Sequence, residues 1–337
     1  MTETPILSVR NLKISVPTDE GRAQILDHVD FDLAHGQVLG IAGESGCGKS
    51  TLMKTILGIL PRQAVVDDGQ ILFEGDDLLS MSVPERRKRI RGGGISFIPQ
   101  DPFLAFNPVF KVGKQLTEVL RWNGLPGEEP GAALTASFRR KAREQLVELL
   151  RAVQVPDAEN ALDRYPHQFS GGQRQRLLIA AALASKPKLI LADEPTTALD
   201  VTTQMQILKI LRDLMQENDA SMLFVTHDFG VIAQICDRVS VMYSGQTIET
   251  GPTASIIDAP LHPYTQRLIG CHPEKSEGIA GIPGQVPSPL APPPGCRFGP
   301  RCDSFREKCA LRRPPLNFMD GEDHRVACVL REKEGAQ

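Results

Sequence analysis

The chain has 337 residues, enough for one large core plus an appendage, with an ordinary hydrophobic fraction of 41% and a formal net charge of −3. That charge gives no global drive toward nucleic acid, so no nucleic-acid partner is expected, and the apolar runs are far shorter than the ~20 residues a bilayer-spanning helix needs. Met1-Thr2-Glu3-Thr4-Pro5 lacks a basic stretch followed by an apolar one, so no secretion signal is expected.

Residues 6–35 predict antiparallel strands with a hairpin around Thr18-Asp19-Glu20-Gly21. In Val29-Asp30-Phe31-Asp32-Leu33 apolar side chains alternate with carboxylates, which turns Phe31 toward a core. Val38-Leu39-Gly40-Ile41-Ala42 reads as a buried strand, and Gly43-Glu44-Ser45-Gly46-Cys47-Gly48-Lys49-Ser50-Thr51 follows it directly. This loop has the chemistry of a triphosphate cradle. Gly43, Gly46 and Gly48 let the backbone turn its N–H groups inward, Lys49 supplies a point charge for the outer phosphates, and the Ser50 hydroxyl can ligate Mg²⁺. The helical pattern of Leu52-Met53-Lys54-Thr55-Ile56-Leu57 brings a positive helix terminus to the same place.

Further along, the basic run at 86–91 reads as the solvated end of a helix, ahead of the strand Ile95-Ser96-Phe97-Ile98 and then Gln100. Residues 112–122 and 137–153 predict helices, the second with Phe138, Ala142, Leu146, Leu149 and Leu150 at helical spacing. Gly124, Pro126, Gly127, Pro130 and Gly131 separate them. Phe169-Ser170-Gly171-Gly172-Gln173-Arg174-Gln175-Arg176 opens an apolar helix over 177–184; Ser170 has the character of an N-cap, and the two glycines permit a phosphate to approach closely. Lys188-Leu189-Ile190-Leu191-Ala192-Asp193-Glu194-Pro195 is a second buried strand, ending in two carboxylates. Asp193 can hold Mg²⁺ directly or through water, and Glu194 can act as general base toward an attacking water. His227 follows the strand Met222-Leu223-Phe224-Val225-Thr226, and a helix over 230–236 and a strand over 239–243 close an α/β core.

The order of these motifs resembles the ATP-binding cassette (ABC) ATPases, whose signature is close to Leu-Ser-Gly-Gly-Gln; Phe169 stands where leucine is usual. The resemblance implies an α/β P-loop core with an antiparallel β subdomain and a helical subdomain inserted at about 102–168, the latter carrying the groove for a membrane subunit's coupling helix. It implies that Gln100 is the Q-loop glutamine that senses Mg²⁺, that Ala198-Leu199-Asp200 is the D-loop, and that His227 is the switch histidine on the γ-phosphate. ATP contacts would come from residues 43–51, Gln100 and Asp193; Mg²⁺ ligands would be Ser50, Gln100 and Asp193; Glu194, His227 and Gln100 would be catalytic. Ser170, Gly171, Gly172, Gln173 and Asp200 would serve the nucleotide of a partner cassette. With one P-loop, one signature and no internal repeat, the chain needs a second cassette, a copy or a paralogue. One departure concerns the base. The family commonly stacks adenine on an aromatic near positions 15–17, where this chain has Ser15, Val16 and Pro17, so that Val16 is left to cover it by apolar contact.

Ten of the 26 prolines lie between Pro273 and Pro315, which predicts an extended, loop-rich tail too proline-rich for a good core. Four of the seven cysteines, Cys296, Cys302, Cys309 and Cys328, stand within or after it in the spacing C-x5-C-x6-C-x18-C. Disulfides, a zinc site, an iron–sulfur cluster and unligated thiols are all open readings of that spacing. His262-Pro263-Tyr264-Thr265, Pro294-Gly295-Cys296-Arg297-Phe298, Arg301-Cys302 and Asn107-Pro108 resemble the oligopeptide, dipeptide and nickel permease branch of ABC importers. That resemblance implies a division into an ATPase domain, 1–258, and a C-terminal domain, 259–337, whose four cysteines hold a [4Fe–4S] cluster, with zinc as the alternative. It implies an ATP-hydrolysing importer subunit for di- or oligopeptides, peripheral on the cytoplasmic face of the inner membrane. Its partners would be a second, paralogous cassette, two integral membrane permeases and an extracytoplasmic solute-binding protein. Nickel, glutathione or another small solute is the alternative cargo, and a non-transport ABC ATPase the alternative class.

Overall fold

The computed structural model describes residues 4–90, 94–125, 130–197, 199–271, 281–319 and 323–332. Arg91 of the basic run, Pro126 and Gly127 of the helix breaker, Ala198 of the expected D-loop and Pro273 at the head of the tail lie outside the described residues. In chain order the strands are β1 (Leu7–Thr18), β2 (Gly21–Leu33), β3 (Val38–Ala42), β4 (Val65–Phe73), β5 (Asp76–Asp77), β6 (Ile95–Ile98), β7 (Leu189–Asp193), β8 (Ser221–Thr226), β9 (Arg238–Tyr243), β10 (Gln246–Pro252), β11 (Asn317–Phe318) and β12 (Arg325–Val326). The helices are α1 (Lys49–Ile56), α2 (Val83–Ile90), α3 (Val112–Asn123), α4 (Ala136–Ala152), α5 (Ala158–Ala161), α6 (Gly171–Leu183), α7 (Val201–Asn218), α8 (Phe229–Ile235), α9 (Thr253–Asp258), α10 (Pro263–Gly270) and α11 (Lys308–Leu311). They group into two compact units, Met1–Ser80 with Phe224–Gln337, and Met81–Leu223.

The first unit contains an antiparallel sheet in the order β2-β1-β4-β5. Its hairpin pairs Thr18 with Gly21, and Phe31 is buried as its alternation with charge requires. A second sheet runs β11-β12-β10-β9-β3, with β3 parallel to β9 and the remaining pairs antiparallel. Every residue of β3 is buried, which is why that strand is a continuous apolar run and does not alternate.

The described part of the tail, 281–316, is loop-rich as expected, with only the short helix α11 and one 3₁₀ turn, but it is not without a core, and the residues after it join the sheet. β12 pairs with β10 at Glu249↔Val326 and β11 pairs with β12, so C-terminal residues extend the sheet. Phe298 is buried against Tyr243 and Tyr264, with ring centroids 5.3 and 5.4 Å away. A core made of single rings and charged side chains carried on loops has no period of 2 or 3.6, and proline content alone therefore hid it. Glu249, 0% exposed, is the ionic counterpart of this core. Its carboxylate accepts from the N–H of Leu261 (2.7 Å) and of His262 (3.0 Å), and lies 2.8 Å from His324 Nε2.

In the second unit β6 and β7 pair in parallel from Ile95↔Leu189 to Ile98↔Ala192. α3 buries Val112, Leu116 and Leu120, and α4 buries Phe138, Ala142, Leu146 and Leu150, a four-residue spacing that keeps one face of each helix apolar. Leu149, expected with that set, is only half-buried. α2 buries none of its residues, as a solvated basic helix should. The helix α7 was not anticipated, although Asp200 caps it and Ile207, Leu208, Leu211, Leu214 and Met215 are buried along it. No helix of the described residues is long and apolar enough to cross a membrane.

Candidate functional site

The loop between β3 and α1 is built by glycines in conformations other residues avoid. Gly43 has φ +155°, and a Cβ there would lie 2.3 Å from the Met242 carbonyl oxygen; Gly48, the N-cap of α1 at φ +104°, would drive a Cβ to 2.5 Å from Leu26 Cδ2. Lys49, the residue after Gly48, is buried and donates from Nζ to the carbonyls of Gly43 (2.7 Å) and Glu44 (3.0 Å). The ammonium thus holds the loop in a curve around itself. Cys47 is buried beside it, with Sγ 3.7 Å from Lys49 Nζ, and burial pushes its thiol pKa up. Gly46, Ser45 and Ser50 are exposed, and Thr51 and Glu44 half-buried. Ser15 is buried and its hydroxyl accepts from Arg22 Nε at 2.5 Å, while Val16 is half-buried and Pro17 exposed, so of the three only Val16 offers an accessible apolar side chain of intermediate burial. His227 is exposed, one residue past β8, where Asp228 caps α8 by accepting from the N–H of Gly230 at 2.7 Å and Val231 at 3.2 Å.

In the second unit, the expected carboxylate pair stands at the end of β7. Asp193 is half-buried, and Glu194 adopts φ +44°, a left-handed backbone that is uncommon for a side-chain-bearing residue and that clusters at functional sites. Glu194 Oε2 accepts from Gln100 Nε2 (3.1 Å) and from Thr197 Oγ1 (3.0 Å). Gln100 and Glu194, read separately in the sequence, are therefore hydrogen-bonded partners. Thr197 was missed, since a threonine three residues after a carboxylate carries no signal of its own. Ser170 caps α6, accepting from Gln173 N–H at 3.3 Å, and the Gln173 side chain returns to Ser170 N–H at 3.0 Å. The Ser-x-x-Gln spacing of this reciprocal cap was legible in principle. Gly172 faces α7, where a Cβ would meet Thr203 Cγ2 at 2.8 Å. Asp200 accepts from Thr203 N–H at 2.9 Å, and these bonds lower its carboxyl pKa.

All seven cysteines are free thiols, which removes the disulfide reading. Cys296, Cys302, Cys309 and Cys328 line one small cavity of ≈ 10 Å³ together with His262. Burial raises the thiol pKa of Cys302 and Cys328 and pushes that of Cys296 up to about 11, with the other cysteines adding smaller like-charge contributions. His262 is buried; its Nδ1 accepts from Tyr264 N–H at 3.0 Å, while Nε2 has no hydrogen-bond partner. Burial lowers its pKa to about 4. Among the described residues no three His, Cys, Asp or Glu side chains converge closely enough to hold a single ion. The thiols surround a space and do not meet at a point.

Two residues beyond the expected set reach the phosphate-binding loop. Tyr264 Oη accepts from Glu44 N–H at 2.9 Å, and Arg301 pairs with the Glu44 carboxylate at 2.7 Å.

A family profile described as "ABC transporter" matches residues 26–197, and one described as "Oligopeptide/dipeptide transporter, C-terminal region" matches residues 248–309. The dipeptide transport ATP-binding protein DppD of Bacillus subtilis (strain 168) is 42% identical over 332 residues, 97% of this chain and 95% of that protein. The oligopeptide transport ATP-binding protein OppD of the same organism is 43% identical, covering 97% of this chain and 89% of that protein. Among solved structures, the ATP-binding cassette MJ0796, in a dimeric post-hydrolysis state bound to ADP and Pi, is 26% identical with a TM-score of 0.61, covering 73% of this chain and 98% of that one.

Proposed function

We propose, from the premise that this chain belongs to the ATP-binding cassette transporter family and is an ATPase, that it powers an importer of di- and oligopeptides. The observation that carries the cargo class is the match to peptide-transport ATP-binding proteins over 97% of the chain, which takes in the C-terminal region as well as the cassette.

In this reading residues 43–51 form the ATP site, in which backbone N–H groups of the loop and the Lys49 ammonium hold the outer phosphates. Ser50, Gln100 and Asp193 are hard oxygen donors of the kind Mg²⁺ takes, and the ion, when bound, neutralises charge developing on the β- and γ-phosphates. Glu194 accepts the proton of the attacking water, Gln100 and Thr197 fix the carboxylate that does so, and His227 steadies the γ-phosphate. Ser170, Gly171, Gly172, Gln173 and Asp200 act on the nucleotide of a second, paralogous cassette. Two integral membrane permeases receive the motion, and the apolar depression lined by Phe97, Phe106, Phe110, Val119 and Leu178 is the surface we assign to a coupling helix. An extracytoplasmic solute-binding protein selects cargo, and the chain sits peripherally on the cytoplasmic face of the inner membrane. The division at 1–258 and 259–337, with a helical subdomain at 102–168, belongs to the same proposal.

The four cysteines hold a [4Fe–4S] cluster, with zinc as the alternative. Soft thiolates suit both, the four thiols line one cavity, and the unpartnered His262 Nε2 on that cavity would donate a hydrogen bond to its occupant. Such a group stabilises thiolates that burial otherwise disfavours.

Purification of the tagged chain from detergent-solubilised membranes tests the assignment. Two permeases, a second cassette and broad absorbance from bound iron are expected, with ATP-dependent dipeptide uptake when the complex is placed in vesicles. A solitary chain overturns the importer reading, and uptake of nickel or glutathione in place of dipeptide overturns the cargo.

A further inference from the structure

Glu44, the second residue of the phosphate-binding loop, is gripped at three groups, its N–H, its carbonyl and its carboxylate. Its N–H donates to Tyr264 Oη at 2.9 Å and its carbonyl accepts from Lys49 Nζ at 3.0 Å. Its carboxylate takes a two-pronged contact from Arg301, Nη1 to Oε2 at 2.7 Å and Nη2 to Oε1 at 3.1 Å. The Arg301 side chain is 3% exposed. Its remaining N–H groups are also engaged, Nη1 on Tyr243 Oη at 3.2 Å, Nη2 on the Ile282 carbonyl at 2.8 Å and Nε on the Pro283 carbonyl at 3.0 Å. All five donors of the guanidinium are therefore used. Gly284 completes the slot, since a Cβ there would lie 3.0 Å from Arg301 Cγ. A buried arginine so fully occupied is a built feature of the fold.

We infer that Arg301 and Tyr264 are positioning residues for nucleotide binding, through which the C-terminal region sets both the shape and the charge of the phosphate-binding loop. This rests on the reading of residues 43–51 as the triphosphate site. The charge argument is direct. A carboxylate within a loop that receives a polyanion opposes binding, and in a partly dry environment that repulsion is poorly screened. Arg301 neutralises Glu44 and fixes it bidentately, which a lysine could do only as a point charge. The shape argument concerns the backbone. With its N–H committed to Tyr264, Glu44 leaves the phosphates to N–H groups further along the loop, and the curve over Lys49 is anchored at its start. Cys302 follows Arg301 in the chain, and His262 precedes Tyr264 by two residues, so both grips issue from the walls of the cysteine cavity.

The test is the affinity of the purified full-length chain for a fluorescent trinitrophenyl-ATP without Mg²⁺, alongside its thermal unfolding. Arg301→Gln is expected to raise Kd about 10-fold. Adding Glu44→Gln to it removes the stranded charge and is expected to return Kd to within about 3-fold of wild type, a rescue that a purely structural role would not give. Arg301→Lys and Tyr264→Phe, each of which keeps most of the side-chain volume, are each expected to raise Kd about 3-fold while still unfolding cooperatively, and they carry the test should Arg301→Gln not fold. A wild-type Kd in Arg301→Gln, or in both milder variants, overturns the inference, as does a double variant no tighter than Arg301→Gln. A wild-type chain that binds no probe overturns the triphosphate reading itself, and the inference with it.

Discussion

Between residues 112 and 162 the chain buries apolar side chains at helical intervals, whereas between 281 and 331 it buries Arg297, Arg301, His324 and Phe298 at irregular ones. The two regions are held by different physics. In the first, many interchangeable contacts share the load, and removing a group costs its transfer energy plus a cavity. In the second, a few ionic and hydrogen-bonded centres each satisfy several partners at once, Glu249 several donors and Arg301 several acceptors, so the loss of one centre strands the others.

Substitutions ranked by size put that contrast at risk. Phe138→Ala, in the helical region, should lose about 4 kcal/mol in urea unfolding, the largest single effect expected there. Glu249→Ala should lose about 3 kcal/mol, because two backbone N–H groups and His324 are left unsatisfied, while Glu249→Gln, which keeps an acceptor, should lose less than half of that. Equal losses for the two Glu249 variants would show that packing and not hydrogen bonding sets the second region's stability. Thr135→Ala removes the N-cap of α4, where the threonine hydroxyl accepts from Phe138 N–H at 3.1 Å, and should lose about 1 kcal/mol by the same measurement. Arg151→Ala breaks an exposed pair with Glu159 and should leave the urea midpoint close to wild type, with any small shift vanishing in high salt.

The same contrast explains what the sequence disclosed. β1, β2, β3, the phosphate-binding loop, α3, α4 and the Ser170 cap were legible because each is specified within a short window by period, glycine spacing or capping chemistry. α7 was open to the same reading through its Asp200 cap and its apolar face. Arg301 and Glu249 were not legible by any local rule. Arg301 meets Glu44 across 257 positions and Glu249 meets His324 across 75, and one sequence gives no sign of which distant charges will pair. At the candidate site, Glu194 was named from the strand it ends and Gln100 from the family resemblance, but the bond between them, 94 positions apart, could only come from the fold.

The capping role of Ser170 has a consequence for how one oxygen can serve two masters. A hydroxyl that accepts from Gln173 N–H still has its own proton to give. The lone pair keeps α6 intact and the proton remains for an anion outside. Aspartate at this position would preserve the first service and reverse the second, since it caps a helix well but offers a negative charge where a donor stood. If Ser170 serves a neighbouring cassette's nucleotide as proposed, Ser170→Asp should yield a chain that melts like wild type yet repels those phosphates, parting the folding of α6 from its use.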